Sequence, residues 1–345
     1  MEYTVVIRTL GKGGSIYQKL LDSLLAQSLP PSSIIVYIAE GYPLPKETVG
    51  IEQCIYVKKG MVAQRALAYD EVSTEYCLFL DDDVYLPSHA VETLYNELVG
   101  QDAQVISPCV FANHKVNIKD KIRLSILGRE VCRPWSRKWG YTVLRTAGFS
   151  YNNHPTKSVY ESQSNAGPCF FCRKEDFLKI HYEEELWLDK TYYAFPEDQV
   201  MFYKMYKTGL KILTSFDSGV IHLDASSTVT NTKEKTERLI YSEYRNKLIF
   251  WHRFIFLPEK NLLLKFWSVI AIFYVYGIQG MKYGMKYIYG DKGMSIAYKN
   301  GVADGFSFLK SEEYKKLPKI NSCNEKENHV YDARLTGRRS GKSSS

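Results

Sequence analysis

Residues 3–39 read YTVVIRTLGKGGSIYQKLLDSLLAQSLPPSSIIVYIA, and this stretch decides the fold class. The β-branched apolar run at 3–8 predicts a buried strand. Apolar residues at helical spacing between Ser15 and Gln27 predict a helix, which the prolines at 30 and 31 end. Residues 34–39 predict a second buried strand. A strand, a helix and a second strand in this order are typical of a parallel sheet.

The following residues continue the alternation. We predict strands at 54–57 and 76–80 and a helix over 61–72 between them. The expected fold is therefore α/β, a mostly parallel sheet flanked by helices. Ligands of such sheets bind at the carboxyl ends of the strands, which here lie near Thr9, Glu40, Lys58 and Asp81.

Weaker patterns cover the rest of the chain. Further helices are predicted at 88–99, 115–129, 174–180, 197–208 and 233–254, and further strands at 104–110, 169–172, 212–214 and 220–223. Gly209 stands where a helix often ends on a glycine. We divide the chain into an α/β domain at 1–230, with halves of about 1–110 and 111–230, a helical extension at 231–330 and a disordered basic tail at 331–345.

Composition narrows the class of protein. The 345 residues are 45% hydrophobic and 24% charged, which excludes a disordered, collagen-like or polytopic membrane protein. Seven scattered cysteines and no secretory signal pattern predict reduced thiols and a cytoplasmic location. Cys169 and Cys172 have bulky aromatic residues between them, so we expect them to pack in the core.

Three successive aspartates, Asp81, Asp82 and Asp83, follow the strand at 76–80. Carboxylates this close repel one another, and a divalent cation would relieve the repulsion. Oxygen ligands suit Mg²⁺ or Mn²⁺, which complete their shells with water and substrate phosphates. If the strand geometry continues, Asp81 and Asp83 point to the same side. The alternative is a solvated turn that caps the next helix.

A second acidic site opens the helix at 197–208, where Glu197 and Asp198 follow Pro196. Acidic residues in a first turn can simply complement the helix dipole. The alternative is a carboxylate that serves as a general base at the edge of a pocket. The 115 residues between Asp83 and Asp198 would allow two halves of a domain to face each other across a cleft.

Several segments in order resemble the inverting GT-A glycosyltransferases of family 2, over roughly residues 3–255. They are residues 3–41, KKGMVAQRALAYDEVSTEYCLFLDDDVYL at 58–86, SNAGPCFFCRKEDF at 164–177, PEDQVMFYKMYKTGLKI at 196–212, VIHLDASS at 220–227 and YRNK at 244–247. Family members often have Arg-Asn where this chain has Arg65-Ala66, and Asp where it has Glu40.

The resemblance implies a role for each matching residue. Thr9 and Glu40 would hold the nucleoside of a nucleotide-diphosphate sugar, and Gln64 and Arg65 would lie near its ribose or diphosphate. Asp81 and Asp83 would be the pair of metal-site aspartates for Mn²⁺ or Mg²⁺, with Asp83 as the direct ligand and Asp81 nearer the ribose, and Asp82 would lie beside them on the donor.

The same resemblance makes Asp198 the general base for an acceptor hydroxyl. His222 would bind the metal or the diphosphate, unless it is a core histidine. Arg245 would reach the leaving diphosphate, unless it lies on the surface. The halves of the α/β domain would then bind nucleotide and acceptor.

Of three other interpretations, two remain open after the sequence is considered. A P-loop is excluded because Lys12 precedes the glycine pair of GKGGS. A sugar-nucleotide pyrophosphorylase has a similar α/β core but leaves residues 195–209 unexplained. A non-catalytic protein binding membranes or nucleic acid would present a basic stripe with interleaved aromatics. The aspartate cluster would sit badly in a phosphate groove, so we expect no nucleic-acid partner.

Basic and apolar segments suggest a membrane partner. Of the net charge of +7, residues 112–140 contribute +6 and residues 333–345 contribute +4, leaving −3 for the remainder. Residues 262–281 are nearly all apolar or aromatic and could span a membrane, lie on it or pack on the domain. We expect peripheral contact with anionic lipid at the inner face of the plasma membrane, and a saccharide or lipid-linked acceptor for surface polysaccharide or lipid-linked oligosaccharide synthesis.

Overall fold

The computed structural model describes residues 1–110, 117–128, 138–152, 154–223 and 232–320. The strands are β1 (Tyr3–Thr9), β2 (Ser33–Ala39), β3 (Glu52–Val57), β4 (Tyr76–Asp81), β5 (Val84–Tyr85), β6 (Val105–Pro108), β7 (Tyr141–Val143), β8 (Phe149–Tyr151), β9 (Val159–Ser162), β10 (Cys169–Arg173), β11 (Ile212–Ser215) and β12 (Ile221–His222). The α-helices are α1 (Ser15–Leu25), α2 (Ala90–Gly100), α3 (Ile118–Ile126), α4 (Lys174–Leu178), α5 (Glu197–Lys207), α6 (Lys233–Phe250), α7 (Leu262–Ile288), α8 (Lys292–Lys310) and α9 (Glu312–Lys316). A 3-10 helix covers Tyr182–Lys190, and a π-helix at Trp251–Phe256 continues α6.

Within the described residues, eight strands form a central sheet in the order β3-β2-β1-β4-β10-β6-β11-β9. The first four are parallel, β10 runs antiparallel to both of its neighbours, β6 and β11 are parallel, and β9 is antiparallel at the edge. The predicted α/β class, a mostly parallel sheet with a C-terminal helical region, is confirmed. The antiparallel β10 brings the residues before Cys169 to the carboxyl edge of β4.

Side chains alternate between two cores, one on each face of the sheet. Val5 and Ile7 face α1 and α2, whereas Val6 faces the opposite side, where α5 and the C-terminal helices pack. Cys169 and Cys172 are both fully buried, as predicted. Ile272 of α7 and Phe308 of α8 belong to the same buried cluster as Val6, so the C-terminal helices share a continuous core with this face of the sheet.

The helix predicted at 61–72 is wrong. A single turn follows Gly60 instead, and Tyr69 has a φ of 54° that an α-helix does not admit. The carboxylate of Asp189 accepts the backbone N–H of Val62 and Ala63 at 2.8–3.2 Å, as a cap does at the start of a helix. Gln64 and Ala66 make the helical bonds of one turn to Gly60 and Val62, and the helix does not continue through Tyr69. Gly60 leaves room for the Asp189 carboxylate, because a Cβ there would lie 2.3 Å from Asp189 Oδ2.

The remaining predicted elements occur within a few residues of their expected bounds. Gly209 has a φ of 92° directly after the end of α5, as the predicted helix end requires. The expected boundary at residue 230 and the expected tail at 331–345 lie outside the described residues. The helix predicted over 115–129 is observed as α3 and ends at Ile126.

Candidate active site

The carboxyl ends of β1 and β4 form the base of the candidate site. Strand β4 ends at Asp81, and residues 82 and 83 turn the chain into β5. The strand geometry therefore does not continue, and the prediction that Asp81 and Asp83 point to the same side on that ground is wrong. Each of the three aspartates has a different partner: Arg8 for Asp81, Thr9 for Asp82 and His222 for Asp83.

Two arginines, the buried Arg65 and the partly buried Arg8, hold three carboxylates together, and we call Arg8, Arg65, Asp81, Glu197 and Asp198 the site cluster. Arg8 Nε lies 2.5 Å from Asp81 Oδ1, and its Nη2 lies 3.0 Å from Glu197 Oε1. Arg65 Nη1 lies 2.7 Å from both Glu197 Oε2 and Asp198 Oδ1. Its Nη2 donates to the carbonyl oxygen of Gly167 at 2.6 Å. The cluster thus joins β1, β4 and the first turn of α5.

Asp198 is the member of the cluster that reaches solvent, with 38% of its side chain exposed. Burial of the carboxyl group raises its pKa, but the Arg65 guanidinium, the hydrogen bond with Glu197 and the charge of Arg8 together more than offset this and lower the pKa to about 2. Asp198 is therefore ionised throughout the physiological range. Gly167 makes the arrangement possible, because a Cβ there would lie 1.8 Å from Asp198 Oδ1.

The pKa of Glu197 is shifted in the direction opposite to that of Asp198. Its carboxyl group is buried between the two arginines, and burial raises its pKa against the lowering effect of Arg65. Two adjacent carboxyl groups thus have pKa values moved apart by their surroundings. That separation assigns different tasks to the pair, with Asp198 available to accept a proton and Glu197 holding the arginines in place.

Asp83 and His222 form the part of the site that fits a divalent cation. Strand β12 pairs with β5, which brings His222 Nε2 to 3.0 Å from Asp83 Oδ1. That oxygen is buried and has no hydrogen bond of good geometry. No group of three or more His, Cys, Asp and Glu side chains with metal-binding spacing occurs in the part of the chain that the structure describes. Two protein ligands suit Mg²⁺ or Mn²⁺, which fill their shells with water and phosphate oxygens.

Asp81 is a weaker candidate ligand, because its carboxylate is shared by Arg8 and Arg65. Burial raises the pKa of Asp81, but the two guanidinium groups together lower it by a larger amount, so that the net shift is downward. The structure therefore favours Asp83 and His222 over Asp81 as the residues that would hold a cation.

Thr9, Asp82 and Gln64 line the edge of the sheet beside the cluster. The Thr9 hydroxyl donates to Asp82, and Gln64 Nε2 donates to the carbonyl oxygen of Thr9 at 3.0 Å. Burial raises the pKa of Asp82. Glu40 follows β2 at the same edge and is exposed, with its backbone N–H bound to the carbonyl of Val57 at 2.8 Å. These four residues, which were predicted to bind the nucleotide-sugar donor, lie at the carboxyl ends of neighbouring strands or on the loops that follow them.

Arg245 is placed apart from the site cluster. It is buried, and its Nε lies 2.6 Å from Asp304 of α8. Its guanidinium also donates to the carbonyl of Trp187 and lies 4.8 Å from the ring of Phe308. The surface alternative for Arg245 is wrong, and its contact with a leaving diphosphate stays a prediction. These contacts indicate that it fastens α6 to α8.

A cavity of about 330 Å³ opens beside Asp198. Its walls are mostly aromatic and aliphatic; they include Met61, Tyr141, Phe149, Tyr193, Phe195 and Leu239. Clefts of this size that are apolar apart from a few polar groups are typical ligand sites. Asp198 contributes an ionised carboxylate to this wall, where it can accept a hydrogen bond from a hydroxyl-bearing ligand.

Sequence reasoning missed Arg8 and the aromatic wall. Arg8 had a signal, since it is the single charged residue in the buried run YTVVIRT of β1. A charge in a buried strand is expensive unless paired, so it should have indicated a partner. Tyr141 and Phe149 lie on the hairpin of β7 and β8, in a stretch without clear periodicity, and carried no comparable signal.

No family model matches the chain, and no curated protein matches it in sequence. Among solved structures, it is similar to the crystal structure of GalNAc-T7 with UDP, GalNAc and Mn²⁺, with 13% identity and a TM-score of 0.44. The match covers 78% of this chain and 54% of that one, so the chain spans about half the length of the solved relative. A similarity at this level assigns no role to any residue.

Proposed function

We propose that this protein is a glycosyltransferase that moves a sugar from a nucleoside-diphosphate donor to an acceptor hydroxyl with inversion. The observation that carries the proposal is Asp198, an ionised carboxylate at the wall of an apolar cavity and in contact with the cluster at the carboxyl end of β4. Support also comes from the ordered motifs that resemble the family 2 enzymes.

The residues present perform the transfer as follows. The acceptor hydroxyl lies in the aromatic cavity, and its oxygen attacks the sugar C1 from the face opposite the diphosphate. The C1–O bond to the diphosphate breaks, and the nucleoside diphosphate leaves with the electron pair. Asp198 takes the hydroxyl proton, so a single displacement inverts the configuration at C1.

Arg65 determines when the proton moves. A general base works best with a pKa near the operating pH, and Arg65 holds that of Asp198 far below it. The acceptor oxygen becomes a strong acid only once it has begun to bond to C1. We therefore infer that proton transfer to Asp198 is late, and that Arg65 mainly keeps the base ionised and oriented.

The donor would lie over the loops after β1, β2 and β4, with Thr9, Gln64 and Asp82 near the nucleoside and Glu40 at the rim. Asp83 and His222 would hold Mn²⁺ or Mg²⁺, which stabilises negative charge on a leaving diphosphate. The acceptor would be a saccharide, free or lipid-linked, because the cavity beside Asp198 is apolar and aromatic. The setting would be surface polysaccharide or lipid-linked oligosaccharide synthesis on the cytoplasmic side of the plasma membrane.

A thermal-shift screen of UDP-, GDP- and dTDP-linked hexoses with MnCl₂ or with EDTA tests the donor assignment. A ligand at a hundred times its Kd stabilises the folded state by about 2.7 kcal/mol. We expect one nucleoside class to raise Tm with Mn²⁺ and to lose most of that increase in EDTA. Calorimetry of the same donor should show Mn²⁺-dependent binding that Asp83→Ala and His222→Ala abolish.

Asp70→Ala is the matched control, since Asp70 is an exposed aspartate outside the site. It should bind donor and Mn²⁺ as the wild type does. The proposal fails if no nucleotide sugar binds, or if the Asp83 variant keeps full metal-dependent binding.

A further inference from the structure

Helix α7 presents a long apolar face that nothing in the described part of the protein covers. It runs from Leu262 to Ile288, and its 27 residues are long and apolar enough to cross a membrane by length and composition. The exposed large side chains follow one stripe: Leu262, Leu263, Phe266, Trp267, Ile270, Phe273, Tyr274, Met281, Met285 and Ile288. Soluble monomers rarely expose so many contiguous apolar side chains.

The opposite face of α7 is packed along its length, which argues against a span. Its buried residues recur every three or four positions: Ser268, Ile272, Val275, Gln279 and Tyr283. Tyr276 donates to the carbonyl of Tyr244 on α6 at 2.6 Å, and Tyr298 on α8 donates to that of Tyr276 at 2.5 Å. A helix held against polar groups of the protein body from Ser268 to Tyr283 cannot lie in hydrocarbon on every side.

Helix α3 extends the same apolar face. Ile118, Ile122 and Ile126 recur at intervals of four and are all exposed. The Tyr274 hydroxyl donates to the carbonyl of Ile126 at 2.9 Å, which joins the end of α3 to the exposed side of α7. A Cβ at Gly128 would lie 2.3 Å from Val275, so the two helices approach closely there. Two segments 144 residues apart at Ile118 and Leu262 thus build one surface, the α3–α7 face.

The net charge beside this face is positive, and its exposed part lies on α3, where Lys119 and Arg123 accompany the isoleucines. On α7, Lys265 Nζ lies over the ring of Phe256 and Lys286 Nζ lies 3.6 Å from Asp291. Helix α3 contains three basic residues and one acid, and α7 contains three lysines and no acid. The lysines are Lys119 and Lys121 on α3 and Lys265, Lys282 and Lys286 on α7. An amphipathic surface with Lys, Trp and Tyr around apolar residues is the chemistry of helices that lie in the membrane interface.

We propose that the α3–α7 face is a monotopic docking surface for a bilayer containing anionic lipid, with α7 lying in the interface plane. A second copy of the chain fits less well, because a two-fold contact would bring two positively charged faces together. Anionic lipid complements the same charges. The proposal does not depend on the proposed function, since docking requires neither donor nor acceptor.

Vesicle flotation of the full chain tests the docking surface, with pure POPC vesicles compared to POPC:POPG at 70:30. We expect wild type to bind both and to prefer the anionic vesicles, with the preference weakened by salt. Phe266→Ser with Phe273→Ser should reduce partitioning into both by more than about tenfold, because burial of each aromatic side chain drives insertion. These side chains are 65% and 62% exposed, so their replacement leaves the core intact.

Leu44→Ser with Tyr56→Ser is the matched control, since these residues are 53% and 50% exposed in the N-terminal half. It should float like wild type. Lys119→Gln with Arg123→Gln, at two exposed positions of α3, should lower binding to the anionic vesicles by about fivefold for each charge and leave binding to POPC unchanged.

Three results would overturn the proposal. If the wild-type protein binds neither type of vesicle, the α3–α7 face is not a docking surface for lipid. If the variant with Phe266→Ser and Phe273→Ser floats like its control, the membrane contact lies elsewhere on the protein. A dimer at micromolar concentration that this variant dissociates, without vesicle binding by wild type, makes the face a contact between copies.

Discussion

The site cluster and a second ion-pair cluster both join acids to bases, but they differ in whether an ionised group reaches solvent. The second cluster pairs Glu184 and Glu185 with Lys204 and Arg253, two acids with two bases. Glu185 is fully buried, and Trp187 Nε1 adds a hydrogen bond at 2.7 Å. The site cluster has three carboxylates for two guanidinium groups, and Asp198 opens on a cavity.

The difference separates a structural network from a chemical one. In the second cluster every charge is compensated within the protein, so the network ties the 3-10 helix to α5 and the π-helix. In the site cluster the ionised carboxylate of Asp198 reaches solvent at the wall of a cavity, where a ligand can use its charge. An ionised group at an open wall, rather than burial of charge by itself, is what distinguishes this cluster from the second one.

Asp198→Asn should have the largest effect. The amide is isosteric but cannot take the acceptor proton, so we expect transfer to fall by about 10²–10⁴-fold, the range of general base catalysis. Donor binding by calorimetry should be nearly unchanged, and so should Tm. Full transfer activity in this variant would remove Asp198 from the role of base and would make the two clusters alike.

Glu185→Gln should have the next largest effect, on stability and not on chemistry. Removing this carboxylate leaves Lys204 and Arg253 buried with less compensation, which costs about 3–5 kcal/mol in comparable buried pairs. Burial raises the pKa of Glu185, but Lys204 and Arg253 together lower it by a larger amount. The folded-state pKa therefore lies below the usual value. The contribution of Glu185 to the free energy of unfolding is therefore fully present when the pH is above the usual pKa of a glutamate. It is lost as the pH falls through the folded-state pKa.

Urea unfolding of wild type and Glu185→Gln between pH 7 and pH 3 measures this contribution. We expect the gap in unfolding free energy to be largest at neutral pH and to shrink below about pH 4.5. An exposed change, Glu183→Gln, serves as control and should show little gap at any pH. A gap independent of pH would contradict the ion-pair explanation.

Gly167→Ala should have a smaller effect that is again confined to chemistry. The new Cβ meets the Asp198 carboxylate, the end of a side chain that can swing away, so the fold should survive. Displacement of the base by about 1 Å can reduce turnover by about a hundredfold. Gly100→Ala, where no atom lies within 4 Å, is the control, and equal kcat values for the two variants would show that Gly167 does not position Asp198.

Strand periodicity predicted most of the sheet, because β1, β2 and β4 are buried on both faces and read as continuous apolar runs. The order of the strands was not predictable in the same way. Tertiary contacts place β10 between β4 and β6, and no local pattern in its sequence CFFCR indicates that position. The prediction of a helix at 61–72 failed for a similar reason, since the first N–H groups of the turn are bound by the carboxylate of Asp189, 127 residues away from Val62, and no local pattern indicates that contact.

The site residues show the same distinction between what local sequence motifs predict and what tertiary contacts determine. Asp83, Asp198 and His222 stand in local motifs, and the structure puts Asp83 beside His222 and Asp198 in contact with Arg65. Which carboxylate pairs with which arginine is a matter of geometry across the cleft, and so Asp81 was expected at the metal and lies with Arg8 and Arg65 instead. Arg245 could not be placed from YRNK, because its partner Asp304 is on a helix 59 residues later.

The pairing of Arg8 with Glu197 also bears on how the chain matures. These residues are 189 positions apart, so the contact closes one of the longest loops available in the N-terminal two-thirds of the protein. At translation rates of about 5–20 residues per second, roughly 10–40 seconds separate the synthesis of the two side chains. The first strand therefore emerges with a cation whose second partner does not yet exist. Assembly of the cleft becomes a late event in the life of the nascent chain, and a product stopped before α5 carries Arg65 without two of its three carboxylates.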